Sequence, residues 1–284
     1  MAATATATKT ITPAHRLERL SAAVERALAQ ALPRAAQAPG GLDEALRYCV
    51  LSGGKRFRPL LCLGACEAAG APVRRALNAA CAIELLHTYS LVHDDLPAMD
   101  DAAERRGQPS CHRRFGEATA ILTGDALLTL AFELLGRNGT PNALAIVRAL
   151  GEACGTAGLI GGQQLDLAAA HAPDAAGEQA LRDIARRKTA ALITASAVAG
   201  GLAGGASAAT LARLRRYGRG IGVAFQLMDD VQDGDGLVRP LGAARARREA
   251  QRAVATALQA IEPLGARAAT LRSLAAWLAS TAQG

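Results

Sequence analysis

Two aspartate clusters constrain this chain more than anything else in it. They are Asp94-Asp95-Leu96-Pro97-Ala98-Met99-Asp100-Asp101 and Asp229-Asp230-Val231-Gln232-Asp233, seven aspartates far apart in sequence. Each lies beside an apolar, helix-patterned run, where an unpaired carboxylate is costly to bury. Clustered carboxylates also repel one another unless something positive is present. A fold that ends two core helices this way needs a shared polar cavity and a cation. Mg²⁺ suits it, because it takes oxygen ligands, keeps some of its waters and is commonly shared between carboxylates and a phosphate.

The rest of the chain reads as helix. Half of the residues are apolar, only eight are aromatic, and no alternating strand pattern is sustained. Alanine, leucine and arginine dominate, and all three favour helix. Helical spacing is expected over 13–38, 42–51, 59–69, 73–96, 117–136, 141–170, 176–198, 206–233 and 242–282. Breakers lie at Pro39-Gly40-Gly41, Ser52-Gly53-Gly54, Gly136 to Gly139 and Pro173. No repeat and no linker appears, so one all-α domain over 13–284 is expected, after a mobile tail over 1–12. Residues 189–212 carry no charge but are weakly hydrophobic and glycine-interrupted. They read as a buried helix, a glycine turn and the start of another helix, not as a membrane span. The six cysteines form no Cys-x-x-Cys pair and read as small core residues. With no signal-peptide pattern, a cytoplasmic protein with reduced thiols is expected.

The net charge is +7. The arginines are scattered and aromatic stacking partners are few, which argues against nucleic acid and for small anionic ligands. Only three lysines stand against 29 arginines. A chain with that bias keeps a lysine where a compact ammonium is wanted, and Lys55 and Lys188 sit beside other polar motifs. Lys55 lies in Gly53-Gly54-Lys55-Arg56-Phe57-Arg58-Pro59, either a phosphate loop or a plain basic loop. Arg105-Arg106 follows the first cluster, where the pair can bind the aspartates or hold phosphate oxygens with planar forks. His87 lies about two helical turns before Asp94, on the same face. Asp94 and Asp100 are six apart, on different faces of a straight helix. Pro97 between them forces a kink or bulge that can bring Asp100 back. Gln163 and Asp166 are polar groups in an apolar setting.

At this point the residues carry a resemblance. HTYSLVHDDLPAMDD (87–101), ERRGQPSCHRRFGEATAILTGDALL (104–128), GGKRFRPLL (53–61), GGQQLDL (161–167), RRKTA (186–190) and FQLMDDVQD (225–233) together resemble the trans-isoprenyl diphosphate synthases, most nearly the bacterial farnesyl diphosphate type. The likeness implies an isoprenoid-synthase helical bundle around a deep central cavity, usually a homodimer. It implies Mg²⁺-dependent joining of dimethylallyl or geranyl diphosphate to isopentenyl diphosphate, giving farnesyl diphosphate. By position, it assigns metal binding to Asp94 and Asp100 with Asp95 and Asp101 in support, and to Asp229 with Asp230 and Asp233 as outer or water-mediated partners of the metal. Arg105 and Lys188 would hold the allylic diphosphate, with Thr189 and Gln226 beside the developing cation. Lys55, Arg58, His87 and Arg106 would hold isopentenyl diphosphate. Tyr89, with Ser90 next to it, would form the floor that sets product length.

One departure stands out. After the second cluster the family pattern continues with a Gly-Lys pair and a Lys-x-Thr-Tyr block, which help close the site. Here Gly234-Asp235-Gly236-Leu237-Val238-Arg239 follows, and the pattern resumes at Pro240-Leu241-Gly242. That shortening makes a low-activity or non-catalytic subunit of a heteromeric synthase one alternative; a geranylgeranyl or geranyl diphosphate synthase is the nearest enzyme alternative.

Overall fold

The structure, a computed structural model, describes residues 12–34, 38–137, 139–171 and 177–281. The tail expected over 1–12 lies outside them except for Thr12, whose hydroxyl accepts a hydrogen bond from the His15 amide and caps the first helix. Fourteen α-helices are described. They are α1 (Pro13–Ala31), α2 (Leu42–Leu51), α3 (Phe57–Ala68), α4 (Leu77–Asp94), α5 (Cys111–Phe115), α6 (Glu117–Gly136) and α7 (Ala143–Cys154). They continue as α8 (Leu159–His171), α9 (Glu178–Ile184), α10 (Ala191–Gly204), α11 (Ala208–Asp233), α12 (Val238–Leu241), α13 (Ala243–Ile261) and α14 (Ala269–Thr281).

Helices α4 and α10 are buried on nearly every side, as apolar residues all round a helix require. Around them pack α3, α6, α7 and α11, with α13 and α14 outside. Helices α1 and α13 are amphipathic and bury one stripe each (Leu20, Val24 and Leu28 on α1). The single helix expected over 141–170 is instead two, broken at Gly155 to Gly158. The one expected over 242–282 is broken at Gly265, whose φ is +57°. The glycine turn expected inside 189–212 falls at Gly205 alone. Gly200 stays helical because α3 crosses there, and a Cβ on Gly200 would lie 1.9 Å from the Cys62 carbonyl oxygen.

Helix α6, and the stretch 143–170 that α7 and α8 share, are long and apolar enough to cross a membrane by length and composition. The first packs one face on α4, and the second is interrupted. Five of the six cysteines are buried, Cys49 is half-buried, and all are free thiols.

Two features depart from pure helix. Residues 104–105 and 108–109 pair as a two-residue antiparallel ladder. Its turn is Arg106-Gly107, with φ of +56° and +74°. Positive φ at both central residues is the tight hairpin turn that matches strand twist. The second feature joins α9 to α10 without a break, through a π-helical turn, Ala185–Ala190. Such turns widen a helix by one residue and recur at functional sites.

Arg56 anchors the loop before α3. Its guanidinium is wholly buried, and it donates to Glu25 Oε1 at 2.6 Å, to Glu84 Oε1 at 2.6 Å and to the Val50 carbonyl at 2.6 Å. Glu84 is a carboxylate in the middle of core helix α4, and only 2 % of its surface is exposed. The group ties α1, α2, α3 and α4 together. Removing one partner of such a pair strands the other charge in a medium that cannot solvate it. Glu84→Ala is therefore expected to cost about 3–5 kcal/mol in chemical denaturation, against less than about 1 kcal/mol for the exposed pair partner Glu133→Ala.

Candidate active site

A cavity of about 680 Å³ opens among α3, α4, α8, α11, the hairpin and the π-helical turn that leads into α10. Lys55, Arg58, His87, Ser90, Asp94, Arg105, Arg106, Lys188, Thr189 and Asp229 all line it. Ten of the sixteen site residues expected from the sequence are thus collected on one surface, from segments up to 174 residues apart. Phe57, Leu91, Leu159 and Phe225 add apolar wall.

The two aspartate clusters meet the cavity unequally. Helix α4 stops at Asp94, where expectation had a kink. Pro97 has no amide proton to continue the ladder, and the Asp100 amide folds back to donate to the Asp94 carbonyl at 2.9 Å. That turn brings Asp100 back within electrostatic reach of Asp94, with its side chain exposed. Burial is the main reason the Asp94 carboxyl is pushed up to about 6, Lys188 opposing and Asp100 adding to the shift. Asp229 is likewise pushed up to about 6, chiefly by burial, with Lys55 and Arg58 opposing.

Four aspartates of the two clusters stand apart. Asp95 turns away into a small neighbouring pocket, where Arg105 binds it from Nε at 3.0 Å. Asp230 is spent inside the protein, accepting from Gln226 Nε2 at 2.7 Å and from the Leu237 amide at 2.9 Å. Neither lines the cavity, and the reason is the same: each carboxylate has a protein donor closer than the cavity. Asp101 also faces elsewhere, toward Arg113 at 3.0 Å. Asp233 is exposed at the end of α11.

Cations line the opposing surface. Arg58 is buried, its Nε has no hydrogen-bond partner among the described residues, and burial pushes its basicity down. One of its terminal nitrogens lies 3.4 Å from His87 Nε2. Burial, then Arg58, holds His87 well below the ordinary imidazole range, so it is neutral and can accept from Arg58. Lys188 bonds Asp166 at 2.6 Å and lies 4.0 Å from Asp94. Arg106 reaches across to the Gly53 carbonyl and ties the hairpin to the glycine loop. Lys55 sits over the Trp277 ring at 5.4 Å.

Two expected residues stand behind the surface. Gln226 accepts from the Thr189 hydroxyl and donates to Asp230, so it links the cavity wall to the second cluster without lining the cavity. Tyr89 does not line it either. It is 4 % exposed, stacks edge-on against His93, and its hydroxyl has no partner among the described residues. Ser90 beside it does reach the cavity. Glu84 and Arg56 also line the cavity, and sequence reasoning missed them. The signal was Glu84, one acid inside the apolar run Ile83-Glu84-Leu85-Leu86.

Two carboxyls raised by burial, in one cavity with an Arg58 whose Nε has no partner among the described residues, suit a ligand that is itself an anion carried with a cation. No three carboxylate, imidazole or thiolate groups converge among the described residues. Mg²⁺ keeps its own waters and takes phosphate oxygens, so it needs only one or two protein carboxylates. The buried Arg58 Nε and Gln163 Nε2, both without partners among the described residues, fit phosphate oxygens. The shortened connection after Asp233 is a closed turn capped by Asp230, and its one cation, Arg239, is held by Asp235 at 2.6 Å. If the acids serve the ligand and not the fold, Asp94→Asn and Asp229→Asn should each stabilise the ligand-free protein at pH 7. The gain, read by thermal denaturation, is about 1–3 kcal/mol, because a raised carboxyl is a destabilised charge.

Residues 40–243 match the model of the polyprenyl synthetase family. A geranylgeranyl pyrophosphate synthase of Arabidopsis thaliana is 48% identical over 72% of this chain and 59% of its own. The large subunit of a heterodimeric geranylgeranyl pyrophosphate synthase from the same plant is 46% identical over 74% of this chain and 58% of its own. The chain thus spans less than two thirds of the length of these curated relatives. Among solved structures, an FPP/GFPP synthase of Zymomonas mobilis superposes with a TM-score of 0.88 at 36% identity, covering 93% of this chain and 98% of that one. A geranyltransferase of Legionella pneumophila does so with a TM-score of 0.89 at 34% identity, covering 95% and 97%. The fold is therefore the helical bundle of the isoprenyl synthases, and the chain belongs to the polyprenyl synthetase family of trans-isoprenyl diphosphate synthases.

Proposed function

We propose that this protein is a Mg²⁺-dependent prenyltransferase that joins isopentenyl diphosphate to dimethylallyl or geranyl diphosphate, with farnesyl diphosphate as product. The observation that carries the reading is the pairing within one cavity of Asp94 and Asp229, raised by burial, with the unpartnered Arg58. Asp94, Asp100 and Asp229 would hold Mg²⁺, which when bound neutralises the charge of the leaving diphosphate. Lys188 and Arg105 lie on the side of Asp94 and would grip the allylic diphosphate. Lys55, Arg58, His87 and Arg106 would take the diphosphate of the second substrate. Thr189 donates its proton to Gln226, which leaves its oxygen lone pairs free to face the carbon that becomes positive. The aromatic and aliphatic walls keep water from that carbon. The proton lost from the isopentenyl unit would leave on the released diphosphate.

The fifteen-carbon product rests on Tyr89, one aromatic ring more than a turn before Asp94. A twenty-carbon product is the second reading, favoured by the curated relatives named geranylgeranyl pyrophosphate synthases and by the absence of Tyr89 from the cavity wall. We further propose a cytoplasmic homodimer. Ile121 and Leu122 on α6 and Leu144 on α7 stay exposed, as an apolar subunit contact would need. The shortened segment after Asp233 carries no free cation among its described residues, which supports slow closure and modest turnover.

Purified protein with Mg²⁺, geranyl diphosphate and isopentenyl diphosphate should give farnesyl diphosphate by chromatography. No condensation product at high enzyme concentration would remove the catalytic reading. Asp94→Asn and Asp229→Asn should each lower kcat by about 10²-fold or more, the scale of losing one electrostatic transition-state partner. In the same assay, Tyr89→Ala should lengthen the product beyond fifteen carbons. An unchanged product would place the floor elsewhere.

A further inference from the structure

A second cavity, of about 740 Å³, lies between α7, α10 and α11 and shares no lining residue with the first. The π-helical turn divides them. Lys188 and Thr189 line the catalytic cavity, while Arg186, Arg187 and Ala190 of the same turn line the second. The turn is also clamped. A Cβ on Gly162 would lie 2.3 Å from the Lys188 amide nitrogen, and one on Gly222 would lie 2.7 Å from the Ala190 Cα. Helices α8 and α11 therefore leave it little room to move on its own.

Charge in the second cavity is one-sided. Arg215 and Arg219 reach it from α11, four residues apart, exposed and without an ion-pair or hydrogen-bond partner among the described residues. Like charges at that spacing repel. Arg186 and Arg187 share a single carboxylate, Asp183. The one acid lining the cavity among the described residues, Glu152, is engaged by Arg148 at 3.0 Å. The floor, by contrast, is apolar, with Ala153, Ala195 and Val198 buried. Basic rim and aliphatic floor together fit an amphiphile with an anionic head. The volume is of the same order as that of the first cavity, so the groove is large enough for a molecule of that size.

We propose that this groove binds a free prenyl diphosphate, head on Arg215 and Arg219 and tail over Ala195 and Val198, and that its occupancy reaches Lys188 through the π-helical turn. The ligand's identity rests on the proposed reaction, because that reaction makes this class of molecule. The site is thus a place where product regulates its own formation. A phospholipid headgroup offers the same chemistry from a membrane and is separated by experiment.

The test titrates farnesyl diphosphate calorimetrically into the full chain in EDTA, which suppresses Mg²⁺-dependent binding in the catalytic cavity. The double variant Asp94→Asn/Asp229→Asn should keep the binding. Arg215→Glu/Arg219→Glu should weaken it by about tenfold or more, the effect of losing charge-assisted contacts, and Val198→Phe, which fills the floor, should weaken it independently. Equal affinity in wild type and both groove variants would overturn the site. Hydrogen exchange over 185–190 should slow on adding farnesyl diphosphate to the aspartate double variant and not to the arginine double variant. No slowing would overturn the coupling. Co-sedimentation with phosphatidylglycerol vesicles that depends on Arg215 and Arg219, without binding of free farnesyl diphosphate, would overturn the soluble ligand. If condensation fails while arginine-dependent binding persists, the groove stands and the reaction reading falls; the reverse result removes the groove alone.

Discussion

Arg56 is a charge with no water around it, and the cavity's basic wall is built on its neutralisation. Burying a guanidinium costs several kcal/mol unless carboxylates and a carbonyl take up its protons. Glu25, Glu84 and the Val50 carbonyl do so here. Because Glu84 belongs to core helix α4, the bond fixes the glycine loop against the helix that carries Asp94. Lys55 and Arg58 flank Arg56 in sequence, so the network sets where those two cations emerge. The hairpin arginine, Arg106, then locks on the same loop through the Gly53 carbonyl.

With that scaffold in place, the cavity can hold charges that are poorly satisfied by the protein itself. Asp94 and Asp229 are carboxyls raised by burial, and Arg58 is a guanidinium weakened by it. Each opposes folding slightly and favours any ligand that supplies the missing partner. Stability is provided elsewhere, by the apolar core around α4 and α10. Such a division is common where strain or desolvation is stored at a site and offset by the surrounding structure.

The second cluster carries a structural duty the first does not. Asp230 holds the Leu237 amide and Gln226, and Gln226 in turn receives the Thr189 hydroxyl. One hydrogen-bonded chain therefore runs from the cavity wall to the shortened turn after α11. With Arg239 held by Asp235, that turn offers the cavity no cation of its own. The π-helical turn adds a second connection, since adjacent residues of it face different cavities.

Much of this was legible in the chain. Helical periodicity placed α2, α6 and α11 almost to the residue, because Gly, Pro and capping residues punctuate them and tertiary contacts need not override them. Breaks at Gly155 and Gly265 were missed, since the alanine- and leucine-rich runs around them read as continuous helix. The motif residues converge as their types and order indicated, ten of them on one surface. Sequence could not separate Asp94 from Asp95, or Asp229 from Asp230. Adjacent residues on a helix point about 100° apart, and which one meets a cavity depends on what packs against the other. Nor could it find the Arg56–Glu25–Glu84 group, whose members lie up to 59 residues apart. By itself the sequence determined the helical class, the two acidic helix ends and the basic motifs that answer them, because composition and spacing act locally. Only the tertiary structure decided which carboxylates are left to a ligand and which are consumed by the protein, because that is settled by the nearest competing donor in three dimensions.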